Sequence, residues 1–297
     1  MELCLGTVQL GMQYGIQNNM RPNISEAMGI LSDALALRIH WFDTASAYGE
    51  SENILGQFSM RFPAQAQSMQ IVSKLGSDAL QDVPRKEWRR IAEESARERL
   101  KKLKREKLDA FLFHNSAYIF DDEAVDALNH VRAIGLAKSI GVSIYTPEEA
   151  MQALKYSQIS SIQIPYNVFD HRLDQCGFFA RAAASNVRIY ARSSLLQGLA
   201  VIPQGELPRH MQFAAPYLNQ FHLICRDFDI TPLQAAIGYV MGNPNIDQVV
   251  FGVDSRAQLA EYVRLQQNPI PEELKNALTD AFADVEEKLV DPSRWRR

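Results

Sequence analysis

Ile39-His40-Trp41-Phe42-Asp43-Thr44-Ala45-Ser46-Ala47-Tyr48-Gly49-Glu50-Ser51-Glu52 decides how the rest of this chain is read. A short apolar run ends on a carboxylate, and a phenol follows five residues later. The pattern recurs twice downstream, where Ile71-Val72-Ser73 leads into Lys74 and Ala110-Phe111-Leu112-Phe113 leads into His114. Polar residues at the ends of strand-like runs, ~30 to 40 residues apart, converge when parallel strands close into a barrel and share one mouth. A carboxylate, a phenol, an amine and an imidazole in one partly dry cavity shift each other's proton affinity. That points to proton transfer.

Working outward, strand candidates recur at Glu2 to Leu5, Ile39 to Asp43, Gln70 to Ser73, Asp109 to Phe113, Lys138 to Val142, Ser161 to Ile164, Val187 to Ala191 and Gln248 to Phe251. Between them lie helical patterns at Ser25 to Leu37, Ser51 to Gln57, Arg85 to Lys104, Asp122 to Ala133, Pro147 to Tyr156, Asp170 to Ser185 and Pro232 to Met241, with Ser255 to Arg264 after the last strand. Such alternation predicts parallel strands joined by helical crossovers, and eight strands predict closure into a (β/α)8 TIM barrel. The segment Leu199 to Phe228, with three prolines, exceeds a simple crossover and reads as a loop over a ligand. Pro271 onward reads as a terminal helix and 291–297 as a polar tail.

At 297 residues and 46% hydrophobic content, the chain can bury one large core, so a single domain over 1–297 is expected. A net charge of −4 gives no general reason to expect nucleic acid or an anionic membrane as partner. The stretch Arg85 to Lys107 is rich in Lys and Arg, but Trp88, Ile91, Ala92, Ala96, Leu100 and Leu103 fit one face of an amphipathic helix, so its charges read as a solvated outer face. Three cysteines without CxxC spacing argue for neither a disulfide framework nor zinc. No signal-like N-terminus or ~18-residue apolar run is present, so a cytoplasmic location is expected. Asn23-Ile24-Ser25 fits a glycosylation acceptor but reads better as a helix start after Pro22.

Phe42-Asp43-Thr44-Ala45 with Tyr48-Gly49-Glu50-Ser51-Glu52 and Leu55-Gly56, then Val72-Ser73-Lys74, then Leu108-Asp109 leading to His114, resembles the aldo-keto reductase superfamily, in register from about Leu5 to Glu261. The resemblance implies a (β/α)8 barrel, a catalytic tetrad of Asp43, Tyr48, Lys74 and His114, and a nicotinamide dinucleotide bound without a Rossmann fingerprint. Gly6, Gly11 and Gly15 indeed lack GxGxxG spacing. One departure is the missing β-hairpin that plugs the barrel bottom in many relatives.

The chemistry follows from the tetrad. Hydride reduction of a carbonyl creates alkoxide character that needs a proton, and a free phenol near pKa 10 is poorly matched to neutral pH. Lys74 would lower the Tyr48 pKa, Asp43 would hold Lys74, and His114 would orient the substrate oxygen.

The resemblance also implies cofactor contacts at Gly6, Thr7 and Asp43, and at Ser143 and Gln163 toward the carboxamide. The Asn expected beside Ser143 is Ile144, with Asn167 a candidate replacement. In Tyr190-Ala191-Arg192-Ser193-Ser194-Leu195-Leu196-Gln197-Gly198, Arg192 stands where relatives place an aromatic that stacks on nicotinamide, and Tyr190, Ser193, Leu195 and Gly198 are further contacts. Arg192 also has the charge to meet a pyrophosphate or an acidic substrate. Gly252, Val253, Asp254, Gln258 and Glu261 match the adenosine end. The implied cofactor is NADP(H), with NAD(H) a near-equal alternative, because Asp254 lies at or beside the position where phosphate-binding relatives carry a cation and Arg256 is close enough to replace it.

The reading is a reductase of aldehydes or ketones. Two alternatives are a cofactor-binding regulatory barrel, against which the complete tetrad argues, and a metal-dependent hydrolase, against which the lack of HxH or HxxxH argues; no metal ligands are assigned. Loops after Gly6, around Ser77 to Pro84, around Asn115 to Phe120 and from Leu199 to Phe221 would set the substrate. The opening Leu5-Gly6-Thr7-Val8-Gln9-Leu10-Gly11 with Tyr14-Gly15 resembles a subgroup associated with sugar biosynthesis, pointing to a sugar-like carbonyl. Oligomeric state is open.

Overall fold

A computed structural model describes residues 1–17, 20–203 and 205–295. Eight parallel strands close in sequence order: β1 (Glu2–Gly6), β2 (Trp41–Asp43), β3 (Gln70–Leu75), β4 (Leu108–Phe113), β5 (Ala137–Ser143), β6 (Ser161–Pro165), β7 (Arg188–Arg192) and β8 (Gln248–Gly252). Every strand expected from the sequence is present, and β8 returns to pair with β1 from Glu2↔Gln248 to Gly6↔Gly252. Most strands are buried along nearly their whole length, as expected when helices cover the outside and side chains fill the inside.

Two cores result. The larger lies between the strands and the helical ring, while Cys4, Trp41, Val72, Ala110, Leu112, Tyr190 and Val250 form a separate cluster inside the barrel. Their side chains fill that interior, so the barrel is packed rather than open. Gly141 belongs to this arrangement, because a Cβ there would meet the Ser161 carbonyl oxygen at 1.7 Å. Among the described residues, the strands' own side chains pack across the barrel bottom. Trp41 and Tyr190 pack edge to face at 5.8 Å, the Arg188 guanidinium covers Trp41 at 4.8 Å, and buried Gln248 donates to Glu2.

Helices form where the chain signals them. Asn23 caps Ile24–Ala36 by accepting from the Glu26 amide at 3.0 Å. Thr146 and Glu149 form a reciprocal capping box on Pro147–Ala153. Asp122–Ala133 and Pro232–Met241 have the expected bounds. The basic helix Trp88–Leu103 turns most of its charges to solvent, where they pair with Glu93, Glu94 and Asp126. Arg99 departs from that expectation. It is buried and lies 3.2 Å from Glu52, itself buried and bonded to Ser73 on the outer side of β3.

Three segments differ from the sequence reading. Asp170 to Ser185 is α-helical only over Phe178–Ala184, preceded by a 3-10 turn at Arg172–Asp174, because an Asn167–Asp170 bridge and the Asp170–Arg172 ion pair shape the preceding loop. Leu199 to Phe228 contains a helix, Ala215–Asp227. Pro216 lies in its first turn, where the missing N–H removes no helical bond, so that proline starts a helix instead of marking a loop. The tail is not simply polar: Pro292–Arg294 forms a 3-10 turn, and Trp295 packs on the core and donates to the Lys288 carbonyl. Its last two residues, 296 and 297, lie outside the described residues.

Candidate active site

Asp43 ends β2, Lys74 lies on β3, His114 follows β4, and Tyr48 sits in the turn after β2. Parallel closure brings all four to the same mouth. Lys74, fully buried, donates from Nζ to Asp43 Oδ1 at 2.6 Å and to the Thr44 carbonyl at 3.1 Å. The same ammonium lies 5.1 Å from the centroid of the Tyr48 ring, whose other neighbour is the His114 ring, edge-on at 5.9 Å. Tyr48 is held from behind by backbone packing. Gly11 approaches so closely that a Cβ would lie 1.9 Å from the Tyr48 carbonyl oxygen, and Glu50 N–H donates to the Gly11 carbonyl.

Burial dominates the proton affinities. It pushes the Tyr48 phenol well above its ordinary range, and the Asp43 carboxylate pushes the same way, while Arg192 pulls it down. The sequence assigned that lowering role to Lys74, yet Lys74 spends its hydrogen bonds on Asp43 and Thr44. Burial, helped by Lys74, lowers His114 to about 4, so its imidazole is neutral at physiological pH. Tyr48 therefore keeps its proton, and Asp43 and Lys74 are paired with each other.

A cavity of ≈ 630 Å³ opens above this group and runs to the N-terminus of the helix Arg256–Gln266. That size lies within the range of pockets for small molecules and cofactors. Of the residues chosen from sequence, Gly6, Asp43, Tyr48, His114, Ser143, Gln163, Arg192, Ser193, Leu195, Gly198, Gly252, Asp254, Gln258 and Glu261 line it. Lys74 is beneath its floor. Thr7 is wholly buried and donates to the Asp43 carbonyl, and Val253 is buried too; neither lines the cavity. Tyr190 is a correction, since it points into the barrel interior against Trp41 rather than toward the cavity.

Gln163 donates to Asp43 Oδ1 at 2.8 Å and so belongs to the tetrad's hydrogen-bond network. Asn167 does not replace the amide missing at Ile144. It is buried outside the cavity lining, and its Oδ1 accepts from Phe169 N–H. Arg192 instead donates to the Ile144 carbonyl at 3.0 Å and to Ser193 Oγ at 3.1 Å, with its guanidinium 4.5 Å from the Tyr145 ring centroid. The turn that follows β7 carries positive φ at Ser193, Leu196, Gln197 and Gly198, three of them non-glycine. Such backbone persists only where surroundings over-determine it. Here Gln197 C=O accepts from Ile16 N–H, tying the β1 and β7 loops together across the cavity.

Sequence reasoning missed Gln9, Tyr14, Tyr145, Tyr262 and Ser293 as lining residues. Burial raises the Tyr14 phenol to about 12. Two lining residues keep buried polar atoms without a protein partner among the described residues, Gln9 Oε1 and His114 Nδ1. An elongated cavity with unsatisfied polar walls fits an extended polar ligand.

The profile of the Aldo/keto reductase family matches residues 2–282, nearly the entire chain. The chain belongs to the aldo/keto reductase family. Aldo/keto reductases reduce carbonyls with a nicotinamide cofactor, and this one is an NAD(P)H-dependent enzyme of that kind. It is similar to an uncharacterized oxidoreductase of Bacillus subtilis, at 22% identity over 89% of this chain and 88% of that protein. It is also similar to pyridoxine 4-dehydrogenase of Escherichia coli, at 24% identity over 85% of both. Among solved structures, the holo form of an aldo-keto reductase from Bacillus halodurans superposes with TM-score 0.77 at 21% identity, covering 98% of this chain and 95% of that one. A putative aldo-keto reductase from Pseudomonas aeruginosa gives 0.66 at 23%, covering 89% and 88%. These structures support the fold alone. Among the described residues, no helix of this reductase is long and apolar enough to cross a membrane.

Proposed function

We propose that this aldo/keto reductase reduces an aldehyde or ketone, of a sugar-like kind, with Tyr48 as the general acid. The observation carrying this reading is the convergence of Asp43, Lys74, Tyr48 and His114 at one buried mouth, with Lys74 2.6 Å from Asp43 and 5.1 Å from the Tyr48 ring centre. When bound, the reduced nicotinamide supplies the hydride. The carbonyl oxygen gains negative charge as its carbon is reduced, and the protonated Tyr48 hydroxyl gives it a proton. Neutral His114 donates a ring N–H to that oxygen and fixes its position without adding a charge. Asp43, which also accepts from Gln163, fixes the Lys74 ammonium beneath the ring and so holds the floor of the site in place.

Gly6, Ser143, Gln163, Ser193, Leu195 and Gly198 would hold the nicotinamide half, beside Arg192, and Gly252, Asp254, Gln258 and Glu261 the adenosine half. Family resemblance implies NADP(H). The β8 end of the cavity favours NAD(H) instead, because it carries Asp254 and Glu261, and Arg192 at the other end is the cavity's only Lys or Arg among the described residues. Arg256, the substitute cation, is turned away into a two-bond pair with Asp33, at 2.6 and 3.0 Å. We therefore assign a preference for the unphosphorylated cofactor.

The test is a panel of aldehydes, ketones and open-chain sugars assayed with NADH and NADPH for cofactor oxidation. Carbonyl-dependent multiple turnover, lost in Tyr48→Phe, is the expected result. Cofactor binding without turnover on any carbonyl would overturn the reading.

A further inference from the structure

The charges around the tetrad do not sum to zero. Asp43 and Lys74 cancel at 2.6 Å, while Tyr48 and His114 are both uncharged. Arg192 remains, on the inward face of β7 at the cavity mouth, and it is electrostatically coupled to Tyr48, His114 and Tyr14. Among the described residues no carboxylate lies within ion-pair distance of it. Its protein contacts are a carbonyl, a hydroxyl and an aromatic face: Ile144, Ser193 and Tyr145. They fix the plane of the guanidinium but do not neutralise it.

A half-buried cation without a counter-charge is costly unless a ligand provides one. A guanidinium has five N–H donors, and the two hydrogen bonds to Ile144 and Ser193 leave the others for an oxyanion. Of the carboxylates lining the cavity, Asp43 is already paired with Lys74 and Asp254 and Glu261 belong to its β8 end, while the phenols Tyr14 and Tyr145 also line it. Given the carbonyl reduction argued under Proposed function, on which this rests, we infer that Arg192 selects substrates carrying a carboxylate or phosphate near the reacting carbonyl. The anionic group would take the place of the missing counter-ion, and its attachment to the guanidinium would turn the carbonyl toward Tyr48 and His114. The same positive charge disfavours a cationic substrate.

Matched pairs of carbonyls test this: glyceraldehyde 3-phosphate against glyceraldehyde, and succinic semialdehyde against its amide. In the wild type kcat/KM should favour the anionic member of at least one pair, and the pair that responds tells phosphate from carboxylate. In Arg192→Gln the anionic-to-neutral ratio should fall at least ~10-fold, the scale of one hydrogen bond to a charged group, and Arg192→Lys should recover part of it. Wild-type indifference within both pairs would overturn the inference. So would an equal loss on both members accompanied by weaker NADH binding, which would place the guanidinium on the cofactor's pyrophosphate. If the wild type turns over no carbonyl, the reading of the function falls, and titration of the NADH-loaded protein with 3-phosphoglycerate and succinate decides the inference separately: weaker binding of either in Arg192→Gln supports it, and undiminished or absent binding of both overturns it.

Discussion

Lys74 Nζ and Asp43 Oδ1 are 2.6 Å apart, and both side chains are almost wholly shielded from water. Two charges so deeply placed are tolerated because each completes the other, with Thr44 and Gln163 filling further valences. Removing one leaves the other as an unpaired buried charge. Lys74→Met and Asp43→Leu should each destabilise the fold by about 3 to 5 kcal/mol, while the double variant should cost less than their sum. Urea unfolding of the three variants measures this, and strict additivity would mean that the pair is not coupled.

Tyr48→Phe removes one hydroxyl from a ring packed against His114 and Lys74. Carbonyl reduction should drop by at least ~10²-fold with cofactor affinity nearly intact. Steady-state kinetics and fluorescence titration with reduced cofactor check both halves, and normal turnover would remove Tyr48 from its assigned role.

His114 falls to about 4 in the folded protein from an ordinary value near 6.5, because burial disfavours its cation. Between those values the unfolded chain binds the extra proton and the folded chain does not. Stability therefore falls as pH drops from about 6.5 toward 4, with a slope of order 1 kcal/mol per pH unit. His171, also lowered by burial, adds to the same trend. His114→Gln should flatten the stability profile in that window without altering it above pH 7. Denaturant midpoints across pH supply the comparison, and an unchanged slope would show that His114 is protonated in the fold.

Asp254 lines the β8 end of the cavity and Arg256 is held by Asp33. Asp254→Arg exchanges an acid that repels a 2′-phosphate for a cation that pairs with it. The ratio of NADPH to NADH dissociation constants should shift toward NADPH by roughly 10-fold or more, the scale of a hydrogen bond to a charged group. A ratio that stays put would place Asp254 away from the ribose.

A second route to the same cofactor question is Asp33→Ala, which frees the Arg256 guanidinium from its two hydrogen bonds. Released, the guanidinium can turn toward the adenosine end, and NADPH affinity should rise relative to NADH. The expected change is smaller than for Asp254→Arg, because a mobile Arg spends conformational entropy to reach the phosphate.

Local pattern carried much of this protein. Runs of apolar residues ending on Asp43, Lys74 and His114 marked strand ends because burial on both faces of a parallel sheet imposes uninterrupted hydrophobicity, and closure of eight such strands brings their ends together without further information. Asn23 was legible as a cap because its hydrogen bond reaches only three residues along the chain.

What the sequence by itself left undecided depends on distance across the fold. Arg188, Tyr190 and Arg192 alternate inward along β7, yet Tyr190 joins Trp41 in the barrel floor while Arg192 reaches the mouth. Strand periodicity determines which side a residue faces, whereas its height above the floor comes from barrel tilt and stagger, which only closure sets. Arg256 and Arg99 make the same point for charge. Sequence shows a cation near a site or on a helix face, but its partner, Asp33 at a separation of 223 residues or Glu52 on a neighbouring helix, is chosen by packing, and that choice decides which cation is left facing the cavity.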